Sequence, residues 1–364
     1  MRFYDFANRL HAFAVRMRFP YRAAVCLLSV CLLFLSFAVR AADFFSPEVL
    51  ERLALSALIS RFPAGGPDPV SGLSGAQKPQ DNLLYDGEIL YIDSPENEQV
   101  PAEDGSDLPI CRLDLSDGVF KLRNTETSFT PDLEALFAAS YPKAPASDGP
   151  AVLILHTHGT ESYSEDGESY AADTPFRTRD TAANVVAVGR VLADELNLRG
   201  IETLHCEIMH DAEDYNSSYG LARVTIEDYL EKYPSIRYII DLHRDAIIRS
   251  DQSMVAPAVD TPDGRAAQVM LVVGTDAYGA DHHGWQDNLN IACKLQSLLN
   301  ADYPLARPIN LRGASFNQQF RAGSMLLEVG SCGNTLDEAK LAARLFAAAF
   351  ADMLAEFDTE AFGS

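Results

Sequence analysis

Positive charge is scarce in most of this chain of 364 residues. Six of its 29 lysines and arginines lie in the first 41 residues, whereas only one of its 52 acidic residues, Asp5, lies there. The rest of the chain is therefore strongly acidic. Such a surface repels nucleic acids and other anionic phosphate polymers, which argues against DNA or RNA binding as the main function.

Cysteine is also sparse, and it forms no recognisable metal or redox motif. Cys26 and Cys31 belong to a long apolar run near the N-terminus. The other four are widely spaced and contain no CxxC pair: Cys111, Cys206, Cys293 and Cys332. Four cysteines allow three pairings, and the sequence neither chooses among these nor excludes four free thiols.

A long uncharged run, AAVCLLSVCLLFLSFAV, separates Arg22 from Arg40. Its seventeen residues are at the short limit for a spanning helix, and five arginines precede it. We interpret residues 1–41 as a basic N-terminus with an uncleaved single-pass membrane anchor; a signal segment cleaved near Ala41 is the alternative. The preceding arginines predict that the remainder lies outside the cytoplasm.

The remainder divides into three parts by composition. Residues 42–110 are rich in proline, glycine and acidic residues, which predicts a partly disordered spacer. Residues 111–150 are interpreted as a short ordered lead-in, with a helix at LEALFAASY. Residues 151–360 have the pattern of a catalytic domain.

Within residues 151–360, apolar runs of strand length alternate with amphipathic helices. The predicted strands are AVLILHT, IETLHCE, IRYIIDLH, AQVMLVVG and SMLLEVG. This alternation predicts an α/β fold in which a central, mostly parallel sheet carries helices on both faces. Ligands of such folds bind beyond the carboxyl ends of the strands, so residues there are candidates for a site.

Three of these strands end in residues that bind metals or transfer protons. AVLILHT is followed by His158, IRYIIDLH ends in His243, and SMLLEVG contains Glu328. Two imidazoles and one carboxylate suit a catalytic Zn²⁺, which lowers the pKa of water and polarises an amide carbonyl. A second carboxylate must then move the proton, and we assign this role to Glu328 because an idle acid inside an apolar strand is costly.

The choice of ligands from the residues alone leaves alternatives open. Strand alternation places His156 on the same side as His158, but His158 lies further out, beside a glycine, and is the preferred ligand. The third ligand is Glu161, three residues after His158, or Asp180 at the start of the next helix, where an acid can also be a cap. His205, His210, His282 and His283 are interpreted as surface residues. Three further residues near the strand-end motifs are candidates for substrate binding: Arg244, Asn317 and Arg321.

The motifs LHTHGTESY, TRDTAANVVAVGRVLADELNLRGI, IIDLHRDA and SMLLEVGSCGNT resemble the stage II sporulation protein P family of endospore-forming bacteria. The resemblance runs from about Ala151 to Leu354. It implies a zinc N-acetylmuramoyl-L-alanine amidase on the fold of zinc exopeptidases, with an endopeptidase activity on peptidoglycan cross-links. It also implies action in forespore engulfment, between the mother-cell and forespore membranes, beside a glycan-cleaving partner and a membrane partner.

Matched motif by motif, the resemblance implies that His158 and His243 bind zinc and that Glu328 is the catalytic glutamate, the general base. It implies Asp180 as the acidic ligand, although cell-wall amidases usually have glutamate at this point. Glu161 remains the alternative, because HxxE spacing is similar to that of zinc carboxypeptidases.

Two rival functions follow from the same residues. A zinc carboxypeptidase or endopeptidase acting on stem peptides is suggested by the order HxxE, His243, Glu328. A peptidoglycan-binding scaffold without activity would require a missing ligand or base, and the sequence lacks none.

Overall fold

The computed structural model describes residues 108–116, 122–124, 127, 129–138, 148–171, 176–249 and 251–360. The predicted membrane anchor in residues 1–41 and the spacer up to residue 107 lie outside these ranges. None of the helices within them is both long and apolar enough to cross a lipid bilayer.

A seven-stranded sheet organises the domain. In order across the sheet its strands are β2 (Leu122–Asn124), β10 (Ile309–Arg312), β9 (Val269–Gly274), β11 (Gly323–Ser331), β6 (Tyr238–Asp245), β3 (Val152–Leu155) and β5 (Thr203–His205). Neighbouring strands are parallel except β9 and β11, which are antiparallel. The prediction of a mixed α/β fold is therefore confirmed.

The antiparallel junction has a simple cause. A parallel neighbour requires a crossover connection, usually a helix, and no helix lies between β6 and β9. The chain instead forms a hairpin of β7 (Met254–Thr261) and β8 (Gly264–Ala267), and β9 then runs through the sheet in the direction opposite to β6. β7 was not predicted, because its Pro257 is unusual within a strand.

Helices cover both faces of the sheet. They are α1 (Leu133–Ala138), α2 (Val185–Leu198), α3 (Ser218–Lys232), α4 (Trp285–Leu299) and α5 (Leu336–Glu360). Residues of α2, α4 and α5 form the main core together with Ile154 and Leu242 of the sheet. On the opposite face, Ala222 and Ile226 of α3 cluster with Ile239. Residues 239, 241 and 243 of β6 thus share the α3 face, since strand residues alternate between faces.

A second, four-stranded sheet has the order β4 (Ser169–Tyr170), β1 (Leu108–Leu113), β7 and β8. Together with β2 in the large sheet, β1 shows that the chain before Ala151 contributes strands to both sheets. The four cysteines outside the apolar run, Cys111, Cys206, Cys293 and Cys332, are free thiols.

Helix α2 begins next to the predicted site and packs tightly against it. The Asn184 side chain caps the helix by accepting a hydrogen bond from the Val186 amide at 3.0 Å. A Cβ at Gly189 would lie 2.7 Å from Nε2 of His156. Only glycine therefore allows the helix to approach the histidine this closely.

Candidate metal centre

Three buried side chains converge just beyond the carboxyl ends of β3 and β6. They are His158 and Glu161, both in the turn after β3, and His243 in β6. One potential ligand atom from each lies within 4.8 Å of the other two. The adjacent parallel pairing of β3 and β6 brings them together.

The geometry of this cluster fits a tetrahedral metal ion. Oε1 of Glu161 lies 3.6 Å from Nδ1 of His158, and Oε2 lies 3.4 Å from Nδ1 of His243. Both distances exceed a normal hydrogen bond, and Nδ1 of His243 has no hydrogen-bond partner in the described part of the chain. Two ligands of a tetrahedral zinc ion are about 3.3 Å apart. The donor set therefore fits zinc.

Neighbouring groups orient both imidazoles toward the cluster. Nε2 of His158 contacts the Ser218 hydroxyl at 3.1 Å, and Nε2 of His243 lies 3.0 Å from Oδ1 of Asp241. Asp241 is itself held by the amide and hydroxyl of Thr157, at 2.8 and 2.6 Å. Because Nε2 of each ring faces a neighbouring side chain, Nδ1 remains for a metal, the usual arrangement around metal-binding histidines.

The electrostatics of the cluster favour a positive charge at its centre. Burial opposes ionisation, but His158, His243 and Arg244 hold the pKa of Glu161 well below its usual value. Burial also lowers the pKa of His158, which favours its neutral, metal-binding form. Against the effect of burial, Asp241 and Glu161 raise the pKa of His243 well above its usual value. Two carboxylates thus attract a cation, either a proton on His243 or a metal ion.

Glu328 is a further acid beside this cluster. In the parallel pairing of β11 with β6 it lies opposite His243. It is buried, and its Oε2 has no hydrogen-bond partner among the described residues. Burial, reinforced by the carboxylate of Asp245, raises the pKa of Glu328 to about 8. A buried carboxyl group with one oxygen unpaired and a raised pKa is suited to exchange protons with a substrate.

An arginine that the sequence analysis missed also contacts the cluster. Nη2 of Arg177 lies 3.6 Å from Oε1 of Glu161, and its guanidinium carbon is 4.8 Å from the centre of the Tyr215 ring. That ring stacks on His158 at 4.3 Å between centroids. The backbones of Arg177 and Glu161 pair in one isolated β-bridge, which brings their side chains together. No strand pattern in the sequence indicates such a bridge.

Of the two alternatives for the third ligand, the structure brings Glu161 to the histidines. Asp180 is exposed, and its carboxylate accepts a hydrogen bond from the Ala182 amide at 2.9 Å, as in an Asx turn. The cap of α2 is Asn184. The structure therefore places Glu161, and not Asp180, beside the two histidines.

His156 does not share a side of the sheet with His158, contrary to the prediction from alternation. Strand β3 ends at Leu155, so the strand period does not extend to His158. His156 packs against α2 instead, with Nδ1 2.9 Å from the Leu242 carbonyl and Nε2 2.8 Å from Nε2 of His205. The interpretation of His205, His210 and His282 as surface residues is wrong, because neighbours largely bury all three side chains; His283 is exposed.

The predicted substrate-binding residues have other contacts. The buried Arg244 guanidinium donates to the backbone carbonyls of Ser162 and Phe176 at 2.9 and 2.7 Å. Its backbone amide donates to Oε2 of Glu161 at 3.1 Å, so this residue positions the Glu161 carboxylate. Because the hydrogen bonds to the two carbonyls occupy the guanidinium, it is not available to substrate.

The other two candidates differ in their distance from the site. Nε of Arg321 donates to the Ile236 carbonyl at 3.0 Å, before the amino ends of β6 and β11 and thus at the sheet edge opposite the cluster. Asn317 donates to the Tyr219 carbonyl at 3.0 Å, and the Tyr219 ring lies edge-on to His158 at 5.6 Å. Asn317 is therefore near the site, whereas Arg321 is remote from it.

Comparison with known proteins gives a family and several distant structural likenesses. The sequence model described as Stage II sporulation protein P matches residues 96–351. Stage II sporulation protein P of Bacillus subtilis (strain 168) is 30% identical over 227 residues, which cover 58% of this chain and 53% of that protein. The chain thus spans about half the length of the curated relative that it matches.

Two solved structures match this chain at low identity and low TM-score. The CwlD amidase from Clostridioides difficile, in complex with the GerS lipoprotein, is 12% identical with a TM-score of 0.35, covering 57% of this chain and 98% of that one. The N-acetylmuramyl-L-alanine amidase Ami1 from Mycobacterium smegmatis is 12% identical with a TM-score of 0.31, covering 58% and 98%.

Proposed function

The chain belongs to the Stage II sporulation protein P family, as its motifs predict, and from this premise we propose that it is a peptidoglycan hydrolase of sporulation. In finer detail, we propose a zinc-dependent N-acetylmuramoyl-L-alanine amidase. The observation that carries this proposal is the buried cluster of His158, Glu161 and His243 with Glu328 beside it.

The proposed chemistry assigns one task to each group. A zinc ion, when bound by His158, Glu161 and His243, supplies a Lewis acid that polarises the scissile carbonyl and acidifies water. Glu328 accepts the proton of the attacking water on its carboxylate and returns it to the nitrogen of the leaving L-alanine. Asp241 and Ser218 keep the imidazoles oriented throughout.

A peptidase is the second candidate, and one observation favours it. Because Glu161 and not Asp180 joins the cluster, the ligand pattern is HxxE followed by His243. This is the order suggested for a zinc carboxypeptidase or endopeptidase acting on stem peptides. A scaffold without catalysis is less well supported, since the cluster and Glu328 are both present.

We also propose the cellular setting that the resemblance implies. The apolar run before Arg40 would anchor the chain in the cell membrane by a single pass, with the catalytic domain outside the cytoplasm. There it would act on peptidoglycan during engulfment with glycan-cleaving and membrane partners. Limited proteolysis of intact protoplasts tests this placement: the domain should be degraded, and protection would contradict it.

Digestion of purified peptidoglycan by the full chain, with and without zinc, tests the proposed activity. Mass spectrometry should detect intact stem peptides released only by the zinc-loaded protein. Single amino acids or cut cross-links would favour the peptidase. No products, even after a glycan-cleaving enzyme has opened the wall, would favour the scaffold.

A further inference from the structure

Arg177 is a partly exposed cation beside the buried cluster. Its side chain is 31% exposed, whereas the side chains of His158 and Glu161 are 2% and 4% exposed. The chain carries a formal net charge of −23, so an anionic group would be repelled from most of its surface. The positive charge of Arg177 makes its surroundings an exception to this repulsion of anions.

A buried carboxylate holds the Arg177 guanidinium in place. Nη1 lies 2.8 Å from Oδ2 of Asp211, whose side chain is 1% exposed. Asp211 also accepts hydrogen bonds from the amide and hydroxyl of Thr160. Because Asp211 is fixed from both sides, Arg177 is preorganised, and binding a ligand would cost little side-chain entropy.

Nε and Nη2 of Arg177 can donate hydrogen bonds to a ligand. Within the described part of the chain, its hydrogen bonds all originate from Nη1 and run to Thr160 and Asp211. The 3.6 Å contact of Nη2 with Glu161 is an ion pair beyond hydrogen-bond range. Nη2 and Nε together form the fork that binds a carboxylate with two hydrogen bonds.

The other arginines near the site are either buried or lie at the opposite sheet edge. Arg244 is buried and donates to backbone carbonyls. Arg307 is buried and pairs with Asp245 at 2.6 Å, and Arg321 lies at the opposite sheet edge. Arg177 is therefore the arginine best placed to meet a substrate at the cluster.

Resting on the function proposed above, we propose that Arg177 determines specificity by binding a carboxylate of the stem peptide adjacent to the scissile amide. In peptidoglycan the residue after L-alanine is D-glutamate, whose α-carboxyl is either free or amidated. Arg177 would favour the free acid because a guanidinium binds a carboxylate by charge-assisted hydrogen bonds and cannot do so with an amide. Arg177 is here a binding residue, and no proton passes through it.

Calorimetric titration tests this inference without requiring turnover. The full chain carrying Glu328→Gln, loaded with zinc, is titrated with two N-acetylmuramyl tetrapeptides that differ only in D-glutamate or D-isoglutamine at the second position. We expect the acid to bind about tenfold or more tightly than the amide, the usual effect of a charged hydrogen bond. Adding Arg177→Gln should abolish this preference while the zinc content stays the same. Arg199→Gln, at the far end of α2, is the matched control and should preserve it.

Several results would overturn the inference. Equal affinity for the two peptides, or a preference that survives Arg177→Gln, would refute carboxylate binding. Loss of zinc in Arg177→Gln would show that the arginine acts through Glu161. If that variant does not fold, Arg177→Met replaces it: methionine keeps much of the apolar length but loses the charge and the donors, so an unchanged preference would again refute the inference.

Hydrolysis by the protein with intact Glu328 is measured separately, so the two proposals can fail independently. Carboxylate preference without hydrolysis of either peptide would refute the amidase but retain the binding site. Hydrolysis of both peptides at equal kcat/KM, with equal affinities, would retain the amidase but refute the role of Arg177.

Discussion

Glu328 of β11 lies directly opposite His243 of β6, and both side chains are on the sheet face that α3 covers. Leu326, two residues before Glu328, clusters on that face with Met270 and Tyr219. Strand residues alternate between faces, so a shift of one residue in this pairing would move Glu328 to the helical core on the other side. The register of two strands thus places an acid beside a histidine of the candidate metal cluster.

Replacing Glu328 by glutamine should abolish hydrolysis and leave zinc binding intact. The amide cannot accept the proton of water, and general base catalysis contributes about 10²- to 10⁴-fold to rates. Release of muropeptides and zinc content are measured on the same preparation. Glu195→Gln on α2, where the side chain pairs with Arg199, is the matched control and should keep full activity. Activity of Glu328→Gln near the unmodified level would reject the assigned base.

Replacing Glu161 by glutamine should weaken zinc binding by more than about 100-fold, because it removes a charged ligand. Asp180→Asn, which tests the alternative ligand, should bind zinc as tightly as the unmodified protein, since Asp180 is exposed and hydrogen-bonded within its own turn. Competition against a chromophoric chelator measures both affinities. The opposite order of effects would restore Asp180 as the ligand.

Replacing Asp241 by asparagine should weaken zinc binding by about 10- to 100-fold, although Asp241 is not itself a ligand in the cluster. Its carboxylate lies 3.0 Å from Nε2 of His243, and an amide would hold the imidazole less firmly. Thr157→Val is the milder comparison: it removes the 2.6 Å hydroxyl contact with Asp241 but keeps the backbone one. Zinc affinity should fall further for Asp241→Asn than for Thr157→Val, and equal affinities would contradict this orientation mechanism.

The sequence predicted the parts of the fold that rest on local patterns. Strands β3, β6 and β11 stand out as apolar runs, and adjacency of their carboxyl ends follows from parallel pairing, so the meeting of His158 with His243 was predictable. The hairpin of β7 and β8 was not, because Pro257 and the polar turn conceal it.

The third ligand and Arg177 depend on the path of a turn, which no periodicity encodes. Both Glu161 and Asp180 fit a strand-to-helix connection in sequence, and only the folded turn after β3 distinguishes them. Arg177 pairs with Glu161 across an isolated bridge, and Asp211, its anchor, is more than thirty residues further along the chain.

The buried pair of His156 and His205 should make stability fall as the pH falls below about 6.5. Nδ1 of His156 must donate to the Leu242 carbonyl, so its Nε2 accepts a hydrogen from Nε2 of His205, and both rings are neutral. Burial, and then the nearby His205, lower the pKa of His156 to about 3. Burial lowers the pKa of His205 to about 4, although Glu207 opposes this.

Because both pKa values are lower in the folded protein, the unfolded chain binds more protons between about pH 6.5 and 4. The stabilising contribution is therefore complete above pH 6.5 and declines by up to about 1.4 kcal/mol per pH unit for each histidine. Urea denaturation of the metal-free full chain at pH 7 and pH 5 measures the loss. His205→Gln, which can still donate to His156, should lose less stability between these pH values than the unmodified chain. His283→Gln, whose side chain is 87% exposed, should behave like the unmodified chain. If all three proteins lose the same free energy of unfolding, the pH dependence arises elsewhere, and the neutral histidine pair does not control it.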